Sequence, residues 1–233
     1  MPAETGDCGK EVKILAVSDV LVQFIYSPHI RQRFADVDLI FSCGDLPYYY
    51  HEYMISMLDV PLYYVHGNHD QTEYGETGHR DAPQGGFNLH RKLVCERGLL
   101  LGGIEGSIRY REGAYQYSQG EMWFHVFALV PGMILNRMRY GRYLDVFVTH
   151  APPLGIHDKP DLAHQGVKAF RWLLKVFQPA LHLHGHVHVY RTDDTFQSTC
   201  GLTRVINSYG FRETSVLCHP FPARLKKSFL KGV

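Results

Sequence analysis

Pro61-Leu-Tyr-Tyr-Val-His-Gly-Asn-His-Asp70 joins a short apolar run to a polar cluster. Leu62, Tyr63, Tyr64 and Val65 read as a buried strand. The run breaks at Gly67 into an amide, an imidazole and a carboxylate, on Asn68, His69 and Asp70, side chains that bind ligands or carry protons. Polar groups at the carboxyl end of a strand are where α/β enzymes hold their chemistry. Gly-Asn and His-Asp are also ordinary turn residues, so this stretch alone leaves both readings open.

Upstream, a strand over 12–17 ends at Ser18-Asp19, and a strand over 38–42 ends at Cys43-Gly44-Asp45. A helix around 28–34, with Ser27 as N-cap and Pro28 first, separates them, and a helix over 48–58 leads to the quoted stretch. Strands alternating with helices through short joints predict a parallel sheet with right-handed crossovers. Downstream, 71–89 is Gly-rich and without periodicity and reads as a long loop. A strand over 99–104 follows, ending in Glu105-Gly106-Ser107. The capping box Ser118-Gln-Gly-Glu121 then opens an apolar helix over 122–139. Pro131-Gly132 is expected to kink or split that helix. Its face of Phe124, Phe127, Leu129, Met133 and Ile134 is expected to pack in the core, with a dimer contact or a membrane-surface contact as the alternatives. A strand over 144–148 ends in Thr149-His150. A helix over 165–177 and strands over 181–189, 204–207 and 215–218 complete the chain. No repeat or low-complexity linker interrupts it, so residues 1–233 read as one domain.

The 233 residues are 45% hydrophobic and 20% charged, enough for a full core, and the net charge of +1 gives no case for wrapping a nucleic acid. The basic cluster from Arg224 to Lys231 reads as a solvated terminal segment. Five scattered cysteines without a C-x-x-C argue for a reducing compartment. The acidic, polar start is no secretory signal, and no apolar run reaches the roughly 18 residues of a membrane span. These features together predict a cytoplasmic protein. Fifteen histidines are the one compositional oddity.

The strand ends agree with one another. Asp19, Gly44-Asp45, Gly67-Asn68-His69-Asp70, Thr149-His150 and Gly185-His186-Val187-His188 supply carboxylates, an amide oxygen and imidazoles, with no thiolate. Such donors suit Mn²⁺, Fe²⁺, Zn²⁺ or Mg²⁺. Parallel strands place these clusters on one edge of a sheet, and six donors predict a dinuclear site. In Leu181-His-Leu-His-Gly-His-Val-His188 the alternation puts four histidines on one strand face. His182 and His184 are read as the polar, wet face of a surface strand. His186 and His188, sharing the pattern of the other strand ends, are read as ligands.

This order of motifs, from Asp19 to His188, resembles the calcineurin-like metallophosphoesterase family. The resemblance implies an α/β fold, a β-sandwich flanked by helices in α/β/β/α layers, with two metals at the strand ends, most readily Mn²⁺ or Fe²⁺. It implies that Asp45 bridges the metals, that Asp19 and His188 hold the first, and that Asn68, His150 and His186 hold the second. His69 would contact the phosphate or protonate the leaving oxygen, and a bridging hydroxide would attack phosphorus.

Two residues depart from the family pattern. Leu21 stands where the first motif, D-x-H, has its histidine, which predicts weaker metal binding at the first position. Tyr48 stands where the phosphatase branch has an aspartate that orients the catalytic histidine, which argues against protein phosphatase activity and leaves His69 either without a carboxylate partner, and so less basic, or with one borrowed from elsewhere, such as Asp70. Arg109 and Tyr110, after the Glu105-Gly-Ser107 strand end, and His157, in the loop after His150, are candidate substrate contacts at the cleft rim. Asp158 and His164 share that loop.

The expectation is a metal-dependent phosphoesterase acting on phosphodiester or phosphomonoester bonds of a small phosphorylated molecule. The alternatives are a nuclease or nucleotide-lipid pyrophosphatase of the same family, and a non-catalytic metal-binding scaffold with an impaired first site. An oligomer through the apolar helix 122–139 is a further possibility to test.

Overall fold

The computed structural model describes residues 9–70, 72–75, 78–190 and 195–218. In chain order its elements are β1 (Glu11–Ser18), α1 (Ile30–Arg33), β2 (Leu39–Ser42), α2 (Tyr48–Leu58), β3 (Leu62–Tyr64), β4 (Glu73–Gly75), β5 (Gly78–Arg80) and β6 (Gly86–Asn88). There follow β7 (Leu93–Glu96), β8 (Leu99–Ile104), β9 (Ser107–Ile108), β10 (Gln116–Tyr117), α3 (Gln119–Tyr140), β11 (Val146–Thr149) and α4 (Lys168–Phe177). The last strands are β12 (Leu181–His184), β13 (Gln197–Cys200), β14 (Thr203–Asn207) and β15 (Gly210–Leu217).

Two sheets carry the architecture, in the orders β15-β1-β2-β3-β6 and β13-β14-β12-β11-β8-β7. The inner strands run parallel, while β15, β13 and β7 join antiparallel at edges. Alternation along the strands decides the layers, because successive side chains point to opposite faces. Ile14, Phe41, Tyr63 and Val65 from the first sheet meet Leu101, Val148, Leu183 and Ile206 from the second in one buried cluster. The opposite face of the first sheet, with Leu15, Val17 and Ile40, packs on Ile30 of α1 and on Tyr50 and Met54 of α2. On the outer face of the second sheet, Ile104, Phe147 and Val205 pack on Val126 and Leu129 of α3 and Phe170 and Leu173 of α4. The result is helix, sheet, sheet, helix, the α/β/β/α arrangement expected from the sequence.

Differences from the sequence reading have local causes. The 71–89 stretch is not all loop: β4 pairs with β5, and β6 adds to the first sheet by pairing Leu62 with Gly86 and Tyr64 with Asn88. Three-residue strands carry no legible period, and the free edge of β3 supplies the partner. The Ser118–Glu121 capping box forms as read, but α3 runs unbroken through Pro131. Pro131 faces solvent, where the carbonyl it leaves unpaired can be hydrated. Of the expected core face, Leu129 and Met133 are buried, whereas Phe124, Phe127 and Ile134 are exposed. The buried stripe is Met122, His125, Val126, Leu129 and Met133. Ser27 does not cap α1; its hydroxyl donates back to the Phe24 carbonyl, and the helix starts at Ile30. Cys8 and the basic segment 224–231 lie outside the described residues.

Candidate metal centre

The site sits where β1, β2, β3, β11 and β12 end. Asp19, Asp45 and His186 all adopt left-handed backbone, with φ of 65°, 59° and 68°. This costs free energy for residues with a Cβ and is characteristic of functional turns. It also stops β12 at His184, so His186 and His188 leave the alternation that the sequence suggested. Two of these turns touch: a Cβ on Gly44 would lie 2.7 Å from Gly67 Cα, so only glycines let the Asp45 and Asn68 turns pass this closely.

The carboxylate of Asp70 fastens the turns together. It accepts the backbone N–H of Gly67 at 2.8 Å and those of Asp45 and Leu46 at 3.2 Å. Burial, then the Asp45 charge, pushes its pKa up to about 6. Asp70 is thereby turned into the wall, and the substitute partnership with His69 suggested by the sequence is not formed. Tyr48, buried, directs its hydroxyl toward His66 at 3.4 Å.

The ring tautomers follow from their partners, since a backbone carbonyl only accepts. His150 Nδ1 donates to the Cys43 carbonyl at 2.7 Å, and His186 Nε2 donates to the Ala163 carbonyl at 2.6 Å. Asn68 Nδ2 donates to the Tyr110 hydroxyl at 3.2 Å, which turns Oδ1 inward. Around His150 Nε2 therefore converge Asn68 Oδ1 at 2.9 Å, His186 Nδ1 at 3.1 Å and Asp45 Oδ2 at 3.4 Å. Four electron-pair donors facing one another in a buried space repel unless a cation lies among them. In its absence a proton does: burial lowers the pKa of His150, but the Asp45 and Asp19 carboxylates outweigh it and raise the pKa to about 9. The same His150 charge outweighs burial at Asp45 and holds its pKa near 2, while burial and His150 push His186 to about 3. Two imidazoles, one amide oxygen and one carboxylate, each oriented by an outer partner, fit a divalent cation.

Asp19 joins this group: ligand atoms of Asp19, Asp45 and His150 fall within 4.8 Å of one another. Both Asp19 oxygens accept the His186 N–H at 3.0 Å. Burial and then Asp45 raise the Asp19 pKa, although His150 and His188 oppose the shift. His188 has its Nδ1 2.5 Å from the Tyr190 hydroxyl, and its ring lies against Tyr209. Leu21 is 41% exposed and contributes no donor. Position 21 thus adds no imidazole beside Asp19.

At the mouth, the His69 N–H donates to Asp45 Oδ1 at 2.8 Å, and its exposed ring meets a residue that sequence reasoning passed over. Arg111 Nη2 lies 3.3 Å from His69 Nδ1, with its guanidinium 5.4 Å over the Tyr110 ring. Only its place two residues beyond Arg109 could have flagged it. Arg109 itself is engaged elsewhere, donating to the Gln116 carbonyl and, at 3.1 Å, to Glu121 in the first turn of α3.

The histidines behind the site correct the sequence reading. His182 and His184 are fully buried, not a wet face. The second sheet is covered on its outer side by α3, α4 and the loop after β11, a tertiary fact the alternation does not contain. His182 Nε2 lies 2.9 Å from Thr149 Oγ1. His157 Nδ1 lies 2.9 Å from His184 Nε2, and His157 Nε2 lies 2.8 Å from Ser198 Oγ. With both nitrogens engaged by the protein, His157 has none left for a substrate. Asp158 accepts the Gly166 N–H, and His164 pairs with Asp161 with its ring beside that of His186. Beneath the rim, His66 pairs with Glu105 at 3.1 Å and Tyr117 donates to the same carboxylate at 2.8 Å, a buried polar group that no sequence spacing announced.

A sequence model described as calcineurin-like phosphoesterase matches residues 12–190. No curated protein matches the sequence. Among solved structures, the crystal structure of TT1561 of Thermus thermophilus is 17% identical, with a TM-score of 0.61 over 90% of this chain and 100% of that one. A second solved chain is 16% identical with a TM-score of 0.60, over 91% and 98%. Vacuolar Protein Sorting 29 from Cryptosporidium parvum is 12% identical with a TM-score of 0.45, over 91% and 87%. At these identities the similarity is one of fold.

Proposed function

The chain belongs to the calcineurin-like phosphoesterase family, and on that premise we propose that it is a metal-dependent hydrolase of phosphodiester or phosphomonoester bonds in a small molecule. The observation that supports this most is the buried convergence of Asp45, Asn68, His150 and His186 directly beneath the exposed His69–Arg111 pair. Asn68, His150 and His186 would hold one cation, Asp19 and His188 a second, with Asp45 shared. Divalent ions in such a site supply Lewis acidity, polarising a phosphoryl oxygen and acidifying a water. Mn²⁺ or Fe²⁺ suits the donor set.

The chain's own contribution begins with Asp45, which holds His69 at the mouth through the His69 backbone. From there the ring can deliver a proton to the leaving oxygen. Arg111 presents a planar fork to non-bridging oxygens, and Tyr110 keeps both that fork and the Asn68 amide oriented. The neutral Asn68 oxygen leaves its cation more electrophilic than a carboxylate would. We place the whole chain in one domain and, from the free thiols of Cys43, Cys95 and Cys200, in a reducing compartment such as the cytoplasm.

One observation favours a second reading: exposed Leu21 gives the Asp19 side no imidazole, as a non-catalytic metal-binding scaffold would tolerate. Hydrolysis of bis-p-nitrophenyl phosphate and p-nitrophenyl phosphate, after loading with Mn²⁺, separates the two. The enzyme reading expects turnover that falls ~10²–10⁴-fold in His69→Ala, the range for a general acid, with metal content unchanged. No turnover above the metal-free background in either protein would leave the scaffold, and equal turnover in both would remove His69 from the mechanism.

A further inference from the structure

The outer face of α3 carries an apolar stripe that no described part of the chain covers. Phe124, Phe127, Pro131, Ile134, Leu135 and Met138 recur at spacings of one, three and four residues, and all are exposed, Met138 by 74%. They span about 21 Å at the ~1.5 Å rise of an α-helix. The stripe continues onto α4, where Trp172 packs against Trp123 and Phe127 at 5.4 Å and Val176 is half exposed. A contiguous apolar face of this extent marks an interaction surface.

The charges around it select the occupant. α3 and α4 carry Arg137, Arg139, Lys168, Arg171 and Lys175 against one acid, Glu121, which Arg109 already neutralises. Arg91, from the turn before β7, lies 5.0 Å over the Phe124 ring. In a two-fold pairing each patch faces itself, so a second copy would set these cations against their equivalents. An anionic lipid surface instead attracts them. It accepts large apolar side chains to the depth of the headgroup boundary and lets Arg and Lys stems extend along the apolar face toward phosphate. Among the described residues no helix is long and apolar enough to cross a membrane, so the association is with its surface.

We propose that the α3–α4 face docks the protein on anionic lipid bilayers. The test is sedimentation of the full chain with phosphatidylcholine vesicles, with and without phosphatidylserine. The expected result is binding only to the phosphatidylserine vesicles, weakened by salt. Arg137→Glu with Arg139→Glu should lower the partition coefficient ~10-fold or more, two lost basic contacts and two added repulsions. Phe124→Ser with Met138→Ser should lower it as well. Both pairs of positions are exposed, so an unchanged melting transition is the check on folding. Equal binding to both vesicles, or none to either, overturns the proposal. So does a dimer abolished by the serine substitutions without any lipid binding, which would assign the face to a second copy.

Discussion

His150 Nε2 and His186 Nδ1 face each other at 3.1 Å, and the other nitrogen of each ring is committed to a backbone carbonyl, Cys43 for one and Ala163 for the other. Neither ring can turn away without abandoning a buried hydrogen bond, worth about 1 kcal/mol net and more if the carbonyl is left unpaired. The pair is therefore held open for a proton or a metal.

That competition has a measurable consequence. With a pKa raised to about 9, His150 carries a proton at neutral pH when no metal is bound. A metal must expel it. Calorimetric Mn²⁺ titrations at pH 7.5 in buffers of different ionisation enthalpy should report about one proton released per cation bound at the tighter site. Affinity should rise up to ~10-fold per pH unit below the His150 pKa and level off above it. Binding without proton release would contradict the protonation of His150.

Arg111 should matter to turnover although it touches no metal ligand atom directly. Loss of a charge-assisted hydrogen bond to phosphate costs about 1.5–3 kcal/mol, so Arg111→Ala is expected to lower kcat/KM ~10–100-fold. Arg111→Lys should recover little of this, because an ammonium offers no planar fork to stack on Tyr110. Metal content should be unchanged in both.

His157 is expected to act through His184 on the turn that carries His186. His184 Nδ1 lies 3.1 Å from the Gly185 carbonyl and donates to it, so His184 Nε2 accepts and His157 Nδ1 donates. His157→Ala would strand a fully buried acceptor, a cost of about 1–3 kcal/mol. By loosening the His186 turn it should also weaken metal binding within the ~10–100-fold range of lost supporting groups. His157→Gln, which keeps a donor, should restore most of the affinity, and Mn²⁺ titration of the three proteins reads this directly.

Stability should fall on the acid side through buried histidines outside the site. His51 and His182 are fully buried, and burial drives both pKa values to about 3. The unfolded chain takes up their protons near the ordinary pKa of ~6.5 and the folded chain does not. Between pH 6.5 and 3 each residue therefore removes up to ~1.4 kcal/mol of stability per pH unit. Above pH 6.5 neither contributes a slope. Urea unfolding across this range should show the dependence, with the slope smaller by up to ~1.4 kcal/mol per pH unit in His51→Gln, which can still hydrogen-bond Ser42 as His51 does at 2.8 Å.

Much of this molecule is legible from the chain alone because its signals are local. The apolar runs at 12–17, 38–42 and 62–65, and the polar residues that end them, require no partner to be recognised. Residue type then names the donors, but not one edge of one sheet as the sequence suggested: Asp19, Asp45 and Asn68 follow parallel strands of the first sheet, His150 and His186 follow parallel strands of the second, and packing of the two sheets brings them together. Tertiary structure decided what the pattern leaves open. His182 and His184 look like a solvated face until α4 and the loop after β11 cover the second sheet. Phe124, Phe127 and Ile134 look like core until the rotation of α3, fixed by Met122, Val126, Leu129 and Met133, turns them outward. Arg109 and Arg111 are indistinguishable in sequence, and only folding gives one to Glu121 and the other to His69. Spacing records which face of an element a residue occupies; what lies against that face is set by the packing of distant segments, and the sequence carries no local mark of it.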